Sequence, residues 1–368
     1  MDLNWSEEQR ELQASVREFL ERTSSIVHVR EVVESDEGFD RAVWQRMAGE
    51  LGLQGLGVPE EHGGGGFGFA ESVLVLEELG RVLYPGPFLA SAVIAAAAIA
   101  ASGDEEAQGR LLPQIADGSL IATLALFEGP YGDDIATTAT ADGDRVRVTG
   151  TKRYVLSGGI ADLLLVVARS GDGLSLVAVP ADAPGVTRSS LTTTDRTRRL
   201  ATIELDGAAG QAVGTLGAAD EAIAHTRTVA LAGLAAEQVG AARVCLERTV
   251  DYVGLREQFG RKIGSFQAVK HRLADVLVAV ENASSALTLA RAAISDSSSE
   301  AYVAGLTAGA MCSEASLFAA QQMLQLHGGI GFTEEHDAHL YVRRAKSSHA
   351  VFGEPHEHRE ALAVALAL

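Results

Sequence analysis

Lysine and cysteine are the scarce residues of this chain, and each scarcity closes off a class of function. Only four lysines stand among 30 cationic residues, against 49 acidic ones, for a formal net charge of −19. So acidic a chain argues against nucleic acid or an anionic membrane as the main partner. The shortage of lysine goes with abundant Ala and Gly, which is the mark of GC-rich coding and not a functional signal. Two cysteines, Cys245 and Cys312, make neither a disulfide framework nor zinc-ligand spacing, and their apolar helical contexts suit small buried thiols. Long apolar runs are missing too: the longest, Ala92 to Ala101, is too short to span a bilayer. The first residues have neither the basic nor the apolar stretch of a secretory leader. The expected setting is cytoplasmic, with no membrane partner.

What is present is a globular chain of 368 residues, 47% hydrophobic, long enough for two or three packed domains. Residues 1–118 read as a helical domain. Ser6-Glu7-Glu8-Gln9 is a capping box, followed by Leu12, Val16, Phe19 and Leu20 at helical spacing. Further helices are expected over 39–51, 69–82 and 88–102. The glycine-rich stretch 57–66 is a connecting loop and not a phosphate cradle, since no Lys-Ser/Thr follows it and no strand precedes it. Residues 119–214 form a middle β domain. Strand-like runs fall at Ile121–Phe127, Arg145–Thr149, Leu163–Ala168, Leu174–Val179 and Ala201–Leu205, separated by Gly-rich turns, which predicts a small antiparallel barrel or sandwich. Residues 215–368 return to long helices and a four-helix bundle, with Phe266, Val269, Leu273, Val276, Leu277 and Val280 as one apolar stripe and 296–300 as a loop able to cap the next helix.

Two C-terminal segments carry the chemistry: Arg256–His271, which contains Phe259, Gly260 and Gln267, and Gln325-Leu-His-Gly-Gly-Ile-Gly331, running on to Tyr341–Lys346. With Val58–Gly64 and Glu77-Glu78-Leu79-Gly80, and over essentially the whole chain, they resemble the acyl-CoA dehydrogenase family. The similarity is to the bacterial branch that includes base-lacking subunits of heteromeric enzymes. The resemblance implies FAD as cofactor, an acyl-CoA thioester as substrate and a homo- or heteromeric tetramer. It further implies that Arg256, Phe259 and Gln267 hold the adenine-pyrophosphate half of a neighbouring subunit's cofactor. Gln325, Gly328 and Gly329 would form a second contact set, in which glycine lets main chain approach the ligand. A blander reading has the Gly-Gly merely ending a helix and the Arg pairing with a Glu.

The middle domain departs from the family. Phe127-Glu128-Gly-Pro-Tyr-Gly-Asp133 stands where relatives have a Thr-Glu-Pro turn. Tyr154 can cover a ring face, but Leu156 replaces the hydroxyl residue that relatives place near the flavin, and Ser157 substitutes only if the register slips by one. The catalytic base is the larger gap. The resemblance puts it at Phe352 or, in another branch, at Ala230, with Thr226-Arg227 there after a four-residue shift; none is a carboxylate. The substitutes are Glu354, two residues beyond the usual site; Glu237, expected as a packing or interhelix partner; and His349. Six of the ten histidines lie beyond residue 326, and His336, His339, His356 and His358 read as solvated polar loops, with no metal site.

Three functions follow. The chain desaturates acyl-CoA itself with an unusually placed base, or it is a structural subunit that completes the FAD pocket of a base-bearing homologous partner. The third is a repurposed flavoenzyme acting on another acyl carrier.

Overall fold

The structure, a computed structural model, describes residues 3–129 and 134–368. Residues 130–133 of the middle-domain turn singled out above lie outside the described residues. The first helices are α1 (Glu7–Thr23), α2 (Ile26–Val32), α3 (Arg41–Leu51), α4 (Phe69–Arg81), α5 (Ala96–Ala101) and α6 (Glu105–Ala116), with a π-helical turn, Leu89–Ala95, leading into α5. The strands are β1 (Ala122–Ala125), β2 (Thr138–Asp142), β3 (Arg145–Leu156), β4 (Leu163–Ser170), β5 (Gly173–Pro180), β6 (Val186–Ser190) and β7 (Leu200–Val213). Then come α7 (Asp220–Leu255), a small hairpin of β8 (Glu257–Gln258) and β9 (Arg261–Lys262), α8 (Gln267–Ser295), α9 (Ala301–His327), α10 (Ala338–Ser348) and α11 (Pro355–Ala365).

Two compact units result. One holds residues 31–72 and 85–230; the other holds 1–30, 73–84 and 231–368. In the first, local signals set the helix ends: Asp40 caps α3 through Ala42 N and Val43 N, and Gly52, at φ +62, closes it. The Trp44 indole donates to Gly118 O at 2.9 Å, so its buried polar edge is satisfied. The strands close a ring, β4 to β2 to β3 to β7 to β5 and back to β4, with β1 added beside β4 and β6 beside β7. This is a small barrel, antiparallel except where β4 meets β1 and β2. Two strands, β2 and β6, went unread in the sequence, because Thr-Ala-Thr-Ala-Asp and Val-Thr-Arg-Ser-Ser are polar and mostly exposed. Irregularities in the β3–β7 register leave Tyr154 at φ +56.

The second unit is built on a shared core of α7, α8, α9 and α10, where Cys245, Val276, Val280, Met323 and Tyr341 are buried together. Side chains of this size each contribute about 1.5–3 kcal/mol on burial. The capping box of α1 is present, with Ser6 Oγ accepting from Gln9 N. The stripe on α8 is buried only in part: Val276 and Val280 face the core, whereas Leu277 is about half exposed. Periodicity locates an apolar face but not what covers it. Similarly, α7, α8 and the stretch Ala301–Phe332 are long and apolar enough to cross a bilayer by length and composition, although no uninterrupted run is. Within the protein 89% of the apolar window of α7 is buried, against 33% of that of α8.

Candidate cofactor site

The site grows from the ends of two helices in the second unit. α7 terminates at Leu255, and the chain turns at once into the β8–β9 hairpin, whose two central residues, Phe259 and Gly260, both have positive φ (+56 and +73). That is the pairing a tight two-residue hairpin demands, and Phe is a poor choice for it. Its ring is 91% exposed, touched edge-on by Phe266 at 6.1 Å between centroids. Arg261 lies over the Phe266 ring at 3.9 Å. The Arg256 guanidinium makes no ion pair or side-chain hydrogen bond among the described residues, while Lys262 pairs with Glu257 at 2.8 Å. Gln267 is the first, exposed residue of α8.

α9 ends at His327. Gly328, at φ +63 and ψ −141, takes a backbone conformation reserved for glycine, and a Cβ on Gly329 would meet nothing within 4 Å. Gln325 is exposed one turn earlier. The two helix ends meet: Tyr252 stacks on His327 with centroids 4.2 Å apart, and its hydroxyl donates to His327 O at 3.3 Å. Arg256 N in turn donates to Tyr252 O at 2.9 Å. Segments remote in the sequence are thus rooted side by side. An unpartnered cation, an exposed aromatic ring and open glycine main chain can together hold an anionic, aromatic ligand presented from outside.

Each substitute base has a partner close by. Glu354 stands at the N-cap of α11, where its own N–H donates to the Glu357 carboxylate at 2.7 Å and its carboxylate lies 3.4 Å from His356 Nδ1. Glu237 forms a buried ion pair with Arg344 at 3.2 Å. His349 Nδ1 lies 2.9 Å from Ser313 Oγ, and burial holds its imidazole below the ordinary value. Ala230 is buried in α7, and Phe352 sits half-buried beside Gly353. In the barrel, Leu156 is buried with its carbonyl accepting from Thr123 Oγ1 at 2.6 Å, and Ser157, at φ +57, is buried too.

The C-terminal histidines differ from expectation. They are not all solvated: His327 and His358 are buried, and His336 lies 4.4 Å from the His327 ring. Two further polar pairs escaped the sequence reading. Lys152 is fully buried with Nζ 2.6 Å from Glu128 Oε1, and burial lowers its pKa to about 8. Glu77, buried in α4 and 3.6 Å from Arg243, is raised to about 7 by the same cause. Both pairs join residues well separated in the sequence, and no local signal marks a long-range partner.

Family models describe the chain from end to end: the acyl-CoA dehydrogenase N-terminal domain over residues 6–119, the middle domain over 128–207 and the C-terminal domain over 210–367. The chain belongs to the acyl-CoA dehydrogenase family, whose members are flavoprotein oxidoreductases. Among its relatives is the acyl-CoA dehydrogenase IpdE2 of Mycobacterium tuberculosis, 36% identical over 95% of both chains. The ChsE4–ChsE5 complex of the same organism is 33% identical, with a TM-score of 0.92 over 100% of this chain and 99% of that one. A structure described as the Tcur3481-Tcur3483 steroid ACAD G363A variant is 36% identical, with a TM-score of 0.91 over 98% of each chain.

Proposed function

We propose that this chain is one subunit of a heteromeric, FAD-dependent acyl-CoA dehydrogenase, in which it completes the cofactor pocket of a base-bearing homologue. The observation that carries the reading is an asymmetry. The outward-facing hairpin is intact, with Arg256 unpartnered and Phe259 held exposed at positive φ. Meanwhile Ala230 and Phe352 stand where the family resemblance places a carboxylate, and Glu354 stands at the N-cap of α11. Likeness to the paired proteins ChsE4–ChsE5 and Tcur3481–Tcur3483 supports a two-chain assembly and an acyl-CoA of the steroid type.

The residues present fit FAD. Arg256 would offer its fork to the pyrophosphate, Phe259 and Gln267 would serve the adenine half, and the Gly328–Gly329 main chain would let the ligand approach closely. Bound FAD supplies the acceptor for the hydride lost from the substrate β-carbon. The proton on the α-carbon needs a carboxylate, which on this reading comes from the partner.

Purification of the chain alone, and with a homologue encoded beside it, tests the proposal through the visible spectrum. A colourless single chain and a yellow, acyl-CoA-reducible pair are expected. Stoichiometric flavin that bleaches with acyl-CoA in the single chain overturns the proposal in favour of a self-sufficient dehydrogenase.

A further inference from the structure

We propose that the stack Tyr252–His327–His336 is the device that positions the Gly328–Gly329 main chain, and that His336 makes this positioning titratable, so that the half-site is set near neutrality and released in acid. The role rests on reading Gly328–Gly329 as a cofactor contact.

The stack joins three elements. Tyr252 comes from α7 and His327 from the last turn of α9, and their rings lie 4.2 Å apart at 25°. His336, on the chain returning towards α10, has its ring 4.4 Å from that of His327 and tilted at 47° to it. The His327 ring is fixed in its plane, since Nδ1 donates to Met323 O at 2.7 Å. The segment 328–335 is therefore a loop whose two ends are in ring contact, with the glycine pair directly after the first. Its return end is anchored by Asp337, whose Oδ1 accepts from Arg30 at 2.8 Å and whose Oδ2 accepts from Arg248 at 2.9 Å.

His336 has a second task that fixes its protonation. Its Nδ1 accepts from Ala338 N at 3.1 Å, and Ala338 is the first residue of α10. Helix amides in the first turn lack partners within the helix, and here the Asp337 side chain does not cap. The imidazole does so instead, and only while Nδ1 keeps its lone pair. A proton there turns acceptor into donor, facing another donor.

The surrounding charges do not favour that proton. Arg248 of α7, His327 of α9 and His339 of α10 oppose it, and Asp337, which favours it, is already shared by two arginines. The Glu334 carboxylate is taken by Arg343 and His339, both at 3.2 Å, while Nδ1 of His339 donates to His336 O at 2.7 Å. Burial first, and then the neighbouring His327, hold the His336 imidazole below its ordinary value. His327 is lowered as well, again chiefly by burial. A histidine depressed in the folded state is stabilising above its unfolded pKa, and that contribution is lost as the pH falls through the folded value.

Amide hydrogen exchange on the full chain reads the device without any cofactor. Protection of residues 328–338, corrected for intrinsic rates, falls between pH 7.5 and 5.5. Protection in the buried middle of α9 does not change. His336→Asn keeps an acceptor near the Nδ1 position but cannot titrate, so its protection depends less on pH than that of the wild type; Tyr252→Leu is less protected at both pH values and keeps the dependence. Wild-type protection that ignores pH, or a dependence as large in His336→Asn as in the wild type, overturns the proposal. Flavin retention by the two-chain assembly is followed in parallel and falls over the same range. If exchange responds and flavin retention does not, the reading of Gly328–Gly329 as a cofactor contact fails, separately from the stack.

Discussion

Gly240 of α7 has no room for a side chain, because a Cβ there would stand 1.9 Å from the carbonyl oxygen of Glu77 in α4. The relation is reciprocal: a Cβ on Gly80 would stand 2.1 Å from the carbonyl oxygen of Glu237. Each glycine follows by one helical turn the glutamate whose carbonyl the opposite glycine touches. The two helices therefore cross at backbone contact. The carboxylates of the same turns find cations close by, Glu77 at Arg243 and Glu237 at Arg344.

Gly240→Ala is expected to destabilise the protein by at least ~2 kcal/mol. Ala is the better helix former by about 1 kcal/mol, but a Cβ pressed on a carbonyl has no rotamer to escape into, so the helices must separate. Urea denaturation measures this; a loss under about 0.5 kcal/mol would show that the crossing relaxes freely.

Glu77 adds a pH dependence at the same crossing. Burial raises its carboxyl to about 7, with Arg243 opposing the shift. Between the ordinary carboxylate value and 7 the folded state holds a proton that the unfolded state has lost. Its contribution to stability is therefore present in acid, declines as the pH rises through this window, and is flat above it. The total is on the order of 3 kcal/mol. Glu77→Gln, which cannot ionise, gains on wild type by that order from pH 5 to 8. Parallel stability curves for the two proteins would refute the assignment.

What the sequence discloses and what it hides divide along contact range. The Ser6–Gln9 capping box closes within one helical turn and is readable as written. The hairpin at Phe259-Gly260 and the helix stop at Gly328 are also local, although the positive φ of a phenylalanine is not something composition announces. The Glu-x-x-Gly spacing occurs at both Glu77 and Glu237, yet nothing local says that the two glycines face each other. Strands β2 and β6 lack the apolar alternation that betrays a strand, and are held by pairing with β3 and β7. That Ala230 and Phe352 are not carboxylates is legible because both positions are counted from fixed motifs. The engagement of Glu354 was harder to see, although Glu354-Pro355-His356-Glu357 is itself a helix-start pattern.

The Lys152–Glu128 pair holds one edge of the barrel domain together. Lys152 Nζ also donates to Leu126 O at 3.1 Å, and the Glu128 carboxylate accepts from Ala136 N at 2.9 Å and Thr137 N at 3.0 Å. Lys152→Met leaves the partly buried Glu128 carboxylate with its two amide donors but no cation, and should cost about 1–3 kcal/mol. Adding Glu128→Gln to Lys152→Met should recover part of the loss, since the stranded charge is gone. A double variant no more stable than Lys152→Met would show that the amine matters for packing and not for charge. Thermal melts of the wild type and three variants decide it.

Phe259 carries a backbone cost, and a role for its ring can be tested apart from stability. A left-handed backbone costs a non-glycine residue roughly 1–2 kcal/mol, and the Phe259 ring recovers little by packing because it is 91% exposed. Phe259→Gly relieves the turn, less the extra flexibility that glycine gives the unfolded chain, for a net gain of up to ~1 kcal/mol. Phe259→Ala removes the ring but keeps the unfavourable φ, so it gains nothing. If the strain is kept for the sake of the ring, both variants should lose flavin from the two-chain assembly at least tenfold faster, although only one is more stable alone. Flavin release followed by fluorescence, beside urea melts of the single chain, reads both quantities. Release as slow as wild type in both variants would mean that the exposed ring does not touch the cofactor, and that the cost of its backbone is met by some other contact.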